Sequence, residues 1–297
     1  MSEEVRNWAE LQPDMLSLIF QKLGAFEVLF TVQCVCSSWK RLSHEPQLWR
    51  CIDMRSPWDL YNDEDGLEKM ARNAVDRSEG QLVEFSVEYF GTDKLLQYVI
   101  ERVSILRCLR LIRCYSISNE GIIEVAKKIP HLEELDISYC SFPKEVLENV
   151  GQLCPRLKSL RLNCQGYKRP HIECDEEALA IAANMPELRH LQLMGNKLTD
   201  YGLRAILDGC PHLESLDLRQ CYSVNLDGGL HKRCVDRIKH LMLPNDSTVD
   251  CVFDAEIDEY GSDYDEGYPS GFSEIDILSD DEYYEFSDVD VFSDFEF

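Results

Sequence analysis

From Leu82 to the neighbourhood of Asp246 one short pattern returns seven times, and this return constrains the fold more than any other feature. LVEFSV begins at Leu82, LRCLRLIRC at Leu106, LEELDISYC at Leu132, LKSLRLNC at Leu157, LRHLQLMGN at Leu188, LESLDLRQC at Leu213 and IKHLMLPND at Ile238. The intervals are 24, 26, 25, 31, 25 and 25 residues. A fixed period of this size means one small supersecondary unit laid against copies of itself. A single unit of this length cannot bury enough apolar surface to offset the entropy of ordering it. Neighbouring units must therefore share faces, and the chain is expected to form a solenoid.

Within each unit, Leu-x-Leu predicts a short strand with alternate residues buried. Leu109 and Leu111, Leu135 and Ile137, Leu191 and Leu193, and Leu216 and Leu218 are the predicted core. Helical stretches follow, as at Gly121–Ala126, Val146-Leu147, Ala178–Ala182 and Gly202–Leu207. Pro130, Pro155, Pro186 and Pro211 stop them before the next strand, because proline cannot continue a helix. The pattern L-x-x-L-x-L-x-x-C/N, with Cys114, Cys140, Asn196 and Cys221 in the last place, resembles leucine-rich repeats of the cysteine-containing type. The resemblance implies an α/β leucine-rich-repeat solenoid of about seven repeats over 81–247, with a parallel sheet inside and helices outside.

Strand positions between the buried residues are expected on the concave face. Arg110, Asp136, Arg161, Gln192, Asp217 and Arg219 are the candidates there for contact with a protein substrate. The mixture of charge signs suits a folded protein partner better than a nucleic-acid backbone. The long fourth interval holds extra residues in QGYKRPHIEC, and insertions in a solenoid land in loops on one face. Tyr167, Lys168 and Arg169 in that loop are candidates for gripping an acidic or phosphorylated substrate.

Ahead of the repeats, residues 8–50 read WAELQPDMLSLIFQKLGAFEVLFTVQCVCSSWKRLSHEPQLWR. Pro13 can open a helix, apolar residues at Met15, Leu16, Ile19, Phe20 and Leu23 follow a helical period, and Gly24 can end it. Phe20, Phe26, Phe30, Trp39 and Trp49 cannot all be interior in so short a bundle, so apolar surface is expected to stay open for a partner. Leu11, Pro13, Asp14, Leu16, Ile19, Phe20, Leu23, Val35, Cys36, Trp39, Leu42, Leu48 and Trp49 carry a resemblance to the F-box, with departures at Gln12 and Glu27. The resemblance implies an all-α F-box over 6–53 that docks a Skp adaptor, and through it a cullin, by way of Leu11, Pro13, Leu16, Ile19, Phe20, Leu23, Val35 and Trp39. Residues 54–80 read as a connecting helix and N-terminal cap, with Leu67, Met70, Ala71, Ala74 and Val75 on one face and Gly80 closing it.

The chain's net charge of −25 is unevenly placed. The stretch from Asp246 to Phe297 holds 19 Asp and Glu and no Lys or Arg, which leaves −6 for everything before it. Residues 248–297 therefore read as a disordered acidic tail. Ser279, Ser287 and Ser293 stand in acidic surroundings that resemble kinase sites. Neither nucleic acid nor membrane is an expected partner: the charge is acidic and no apolar run reads as long enough to span a bilayer. Thirteen scattered cysteines and an acidic start without an apolar core fit reduced thiols in the nucleus or cytoplasm. Four of the seven histidines, His131, His190, His212 and His240, fall at similar points near the repeat strands, and no cofactor, metal or catalytic constellation stands out.

The two halves together resemble plant F-box/leucine-rich-repeat proteins. That resemblance implies a non-catalytic substrate-recognition subunit of an SCF-type (cullin–RING) ubiquitin ligase. The alternative from another class is a repeat scaffold that sequesters a protein partner with no ligase attached.

Overall fold

Proline at the first turn and glycine near its end set the start of the chain. In a computed structural model, Pro13–Glu27 forms α1, followed by a wide turn over Val28–Val32, then Gln33–Val35 (α2), Ser37–Leu42 (α3) and a tight turn at Pro46–Trp49. The structure describes residues 11–55, 64–164, 173–249 and 251. The chain divides into units 1–261 and 262–297, and the second lies wholly outside the described residues. Of the predicted tail over 248–297 only residues 248, 249 and 251 are described, and the loop candidates Tyr167, Lys168 and Arg169 lie outside the described residues.

Alternating leucines then build the sheet. Cys51–Met54 (β1), Glu84–Glu88 (β2), Cys108–Ile112 (β3), Glu134–Asp136 (β4), Ser159–Arg161 (β5), His190–Gln192 (β6), Ser215–Asp217 (β7) and His240–Met242 (β8) lie side by side in chain order, all parallel. The helices between them are Glu64–Arg77 (α4), Asp93–Arg102 (α5), Asn119–Lys128 (α6), Lys144–Leu153 (α7), Glu176–Asn184 (α8), Asp200–Gly209 (α9) and Leu230–Arg237 (α10). One register row joins Ile52, Phe85, Leu109, Leu135, Leu160, Leu191 and Leu216, and every one of these is buried. The fold is the expected leucine-rich-repeat solenoid.

The strand count differs from the expected seven. β1 is an eighth strand, and the boundary drawn between residues 53 and 54 falls inside it. Ile52 and Met54 are fully buried on either side of Asp53, so β1 is a repeat strand by burial. It has no leucine and follows directly on the turn at Trp49, which hides the pattern in the sequence.

Two devices tie each repeat to the next. The ladder thiols donate to strand carbonyls one repeat back: Cys114 to Val87 at 3.8 Å, Cys140 to Leu111 at 3.5 Å and Cys221 to Leu193 at 2.9 Å. At Leu193 the thiol is a second donor, since that carbonyl also accepts from the Asn196 N–H at 3.0 Å. The second device is an aspartate that caps the following repeat. Asp93 Oδ1 accepts from the Ser118 N–H at 2.9 Å, and Asp175 Oδ1 accepts from Thr199 at 2.8 Å and Gly202 at 3.0 Å. Glycine is required beside it, since a Cβ at Gly202 would stand 2.3 Å from Asp175 Oδ1 and one at Gly121 would stand 2.1 Å from Asp93 Oδ1.

The N-terminal helices share the solenoid's core. Leu16, Phe20, Val28, Leu29, Val32 and Trp49 belong to one hydrophobic cluster with Ile52, Leu67, Ala71 and Leu82. Arg77 at the end of α4 reinforces the join. Its guanidinium lies over the Trp49 ring at 5.4 Å and donates to Gln33 Oε1 at 2.9 Å. Burial pushes its pKa down. The helical stretch Pro13–Val35, with mean hydropathy 1.5, is long and apolar enough by composition to cross a membrane, contrary to the reading of the sequence that no such run exists. Gly24, at φ 86° and ψ 172°, breaks that stretch. Each resulting segment is about 17 Å long, well short of the roughly 30 Å hydrocarbon core.

Gly202→Ala is expected to lower stability by about 1–3 kcal/mol through the forced shift of Asp175. A urea unfolding midpoint equal to that of the parent would show that the repeat-to-repeat cap yields without cost.

Candidate functional site

Helical periodicity gives α1 two apolar flanks, not one. Leu16 and Phe20, one turn apart, face inward and are buried, with Phe20 packed edge-on against Trp39 at a ring separation of 5.2 Å. Met15 and Leu18 point away from them. Together with Leu23, Phe30 and Val35 they stay open at 46–55% of their full exposure. Pro13 is exposed, while Leu11, Ile19 and Trp39 are half-buried at the margin of this face.

The structure therefore corrects part of the expected adaptor set. Leu16 and Phe20 are core residues and have no surface to offer a partner. Pro13, Leu23 and Val35 do, and Leu11, Ile19 and Trp39 offer their edges. Met15, placed by the sequence on the buried stripe, is outside, and Leu18 and Phe30 join it. Leu18 had a signal of its own. It falls on the flank occupied by Asp14, Gln21 and Lys22, where a leucine has no folding reason to be.

The sheet supplies the second surface. Asp53, Ser86, Arg110, Asp136, Arg161, Gln192, Asp217 and Met242 form a single register row across all eight strands. Five of the six concave candidates thus stand side by side. At about 4.8 Å per strand the row is roughly 34 Å long. Its charges alternate and are already paired within the chain. Arg110 donates to Glu84 and to Glu134, each at 3.3 Å, and Arg161 meets Asp136 at 3.6 Å. Gln192 reaches Asp217 at 3.4 Å. Arg219, two residues past β7, grips Asp217 through Nε and Nη2 and donates from Nη1 to the Ser247 carbonyl at 2.9 Å.

Pairing changes what these residues can do. Asp136 and Arg219 are buried and tie strands and loops together, so the expectation that they are open substrate contacts is corrected. Arg161, whose side chain is 41% exposed, and the partly exposed Gln192 present the row to solvent. A row whose charges cancel locally favours partners that match its alternation over partners of one sign.

The thirteen cysteines are all free thiols. Burial raises the pKa of Cys140 to about 11 and that of Cys108 to about 12, and raises Cys114 and Cys221 further. These thiols are protonated packing groups. Cys36 differs, because the Ser38 hydroxyl at 3.1 Å lowers its pKa. Among the described residues no group of three His, Cys, Asp or Glu side chains gathers as a metal would require.

Two outcomes test this partition of inside and outside. Phe20→Ala should cost about 3–5 kcal/mol and Leu18→Ser within about 0.5 kcal/mol of nothing, read from denaturant unfolding. Iodoacetamide at neutral pH should label Cys36 well before Cys114, Cys140 or Cys221, because a lowered pKa leaves more thiolate at a given pH. Equal labelling rates by peptide mass mapping would contradict the assignment.

Comparison with known proteins agrees with the two-part architecture. Residues 8–55 match the F-box-like family and residues 184–207 match a Leucine Rich repeat family. The F-box protein SKIP19 of Arabidopsis thaliana is 50% identical over 297 residues, covering 99% of this chain and 94% of that protein. Putative F-box/LRR-repeat protein 23 from the same plant is 49% identical over 250 residues, covering 82% of this chain and 55% of its own length. Putative F-box/LRR-repeat protein 22, also from that plant, is 48% identical over 246 residues, covering 82% of this chain and 79% of its own length. With an F-box welded to a leucine-rich-repeat solenoid and half its residues shared along almost the full length of such a relative, the protein belongs to the F-box/leucine-rich-repeat family.

Proposed function

We propose that this protein is the substrate-recognition subunit of an SCF-type (cullin–RING) ubiquitin ligase. The observation that carries the reading is the exposure of five large apolar side chains, Met15, Leu18, Leu23, Phe30 and Val35, on N-terminal helices whose Leu16, Phe20, Val28, Leu29 and Val32 are packed in the core. A soluble fold gains nothing from five large apolar side chains in water, whereas a partner that covers them gains about 1.5–3 kcal/mol for each one fully buried. On this reading the partner is a Skp adaptor, with a cullin behind it. The solenoid row from Asp53 to Met242 holds a protein target on its exposed members, Arg161 and Gln192 foremost.

The chain itself makes and breaks no bond. Its contribution to rate is proximity, since a target held on the sheet keeps its lysines at high local concentration near the ubiquitin donor. The shared core and the Arg77 clamp matter here, because a loose joint between adaptor face and sheet would spread that local concentration over a larger volume. The same reading places the protein in the nucleus or cytoplasm.

Leu18→Asp and Val35→Asp change exposed residues and should leave unfolding unaltered while weakening capture of purified Skp adaptor by at least about tenfold each. Undiminished capture by both variants would remove the adaptor from the account. Stable levels of a bound protein with the proteasome active would instead favour the sequestering scaffold.

A further inference from the structure

One residue ahead of each strand from β3 to β8 stand Arg107, Glu133, Lys158, Arg189, Glu214 and Lys239. Neither the adaptor face nor the central row uses them. Their backbones are rungs of one ladder. The N–H of each donates to the carbonyl of the one before, from Glu133 on Arg107 to Lys239 on Glu214, at 2.8–2.9 Å. These six residues therefore follow the strand starts along one margin of the sheet for roughly 24 Å, at about 4.8 Å per strand.

Their charges come as one block of three, used twice. Arg107 Nη1 donates to Glu133 Oε1 at 3.3 Å, and Lys158 Nζ donates to Glu133 Oε2 at 2.8 Å. Arg189 Nη1 donates to Glu214 Oε1 at 3.1 Å, and Lys239 Nζ donates to Glu214 Oε2 at 2.7 Å. In each block both carboxylate oxygens are taken. The bonds from Lys158 and Lys239, with the field of the paired arginines, hold the two carboxyls below their usual range. The cations are far from spent, since an ammonium has three N–H groups and a guanidinium five. They also stand outermost. The four cationic side chains are 48–67% exposed, against 27% for Glu133 and 32% for Glu214.

Internal pairing alone does not account for this order. Strict alternation would cancel the charge. Two such blocks end to end leave two positive charges over, on a chain whose residues before Asp246 sum to −6. They also set Lys158 beside Arg189, with the Arg189 N–H on the Lys158 carbonyl, and like charges on neighbouring strands are destabilising. Nearby acids do not relieve the excess. Glu84 and Glu134, at the next position inward, are both held by Arg110. Exposed Glu187, at the corner before Arg189, is offset by exposed Arg156, whose charge also acts on Glu133.

We propose that the margin where β3 to β8 begin is a docking site for an extended acidic segment of a protein target, its carboxylates on Arg107, Lys158, Arg189 and Lys239 and its centre at the Lys158–Arg189 junction. A span of roughly 24 Å suits about seven or eight extended residues at roughly 3.3 Å each. A single phosphate would reach the junction alone. A nucleic-acid backbone carries charge without gaps and would set phosphates against Glu133 and Glu214. Taking the partner to be a ligase target rests on the substrate-recognition reading. Binding of an acidic segment is measured with no adaptor present, so the two can fail separately.

The test uses the full chain and a fluorescein-labelled peptide of alternating glutamate and serine, about eight residues long, read by fluorescence anisotropy at low salt. Saturable binding that weakens as salt rises is expected. Lys158→Gln with Arg189→Gln should weaken it by at least about tenfold, while the unfolding midpoint stays with the parent because exposed ion pairs contribute little. Lys94→Gln with Lys232→Gln removes the same charge from exposed positions outside the margin and should leave binding within about twofold. No binding by the parent overturns the proposal, as does equal weakening by the two double variants, which marks unspecific attraction. Tighter binding of an oligothymidylate, or of a neutral peptide carrying one phosphoserine, overturns it in favour of those partners. A second measurement uses the unaltered chain, so it stands even if the first double variant folds poorly. A zero-length carbodiimide should join the peptide to Lys158 or Lys239, beside internal links to Glu133 and Glu214. Links from these lysines to acids of residues 252–297 of the same chain, with none to the peptide, overturn the proposal in favour of the chain's own acidic end.

Discussion

Lateral stacking of one apolar row is the interaction on which the rest depends. Ile52, Phe85, Leu109, Leu135, Leu160, Leu191 and Leu216 lie in register across seven neighbouring strands, each covered by the repeat before it and the repeat after. No repeat owns its core, so order in one requires order in the next. The polar devices follow from that packing. Once strand ends are buried between repeats, their carbonyls need donors, and a thiol is small and apolar enough to donate inside a core. The capping aspartates solve the same problem for helix starts, at the price of glycine wherever the carboxylate would meet a Cβ.

The same packing explains why one end can carry an open apolar face. The F-box helices are too few to close a core, but Leu16, Phe20 and Trp49 are covered by β1 and α4. That support lets Met15, Leu18, Phe30 and Val35 remain in water without unravelling the bundle. The solenoid is thus both the arm that holds a target and the base that keeps the adaptor face presentable.

Much of this was legible in the chain. The 25-residue period fixed strand, helix and corner positions because side chains at a repeat's core have only one environment to satisfy. Gly24 and Pro13 marked helix ends by backbone chemistry alone. Legibility failed in three places, each for a tertiary reason. β1 carries Ile52 and Met54 where leucines were expected, and its burial comes from α4 and β2. Leu16 and Phe20 looked like adaptor contacts because an apolar helix face looks alike whether a partner or the chain's own sheet covers it. Asp136 and Arg219 looked like free charges because their partners lie on other strands or loops, or two residues away on the far side of a turn.

By itself the sequence determined the repeat, its period, the two-part order of F-box and solenoid, and the acidity of the last fifty or so residues, since each of these is written in local spacing and composition. Only the tertiary structure decided which apolar residues face water, which charges are already paired, and that strand starts from β3 to β8 line up along one margin. The reason is physical: burial and pairing are properties of surfaces brought together from distant parts of the chain, and a helix or strand cannot carry in its own residues a record of what will cover it.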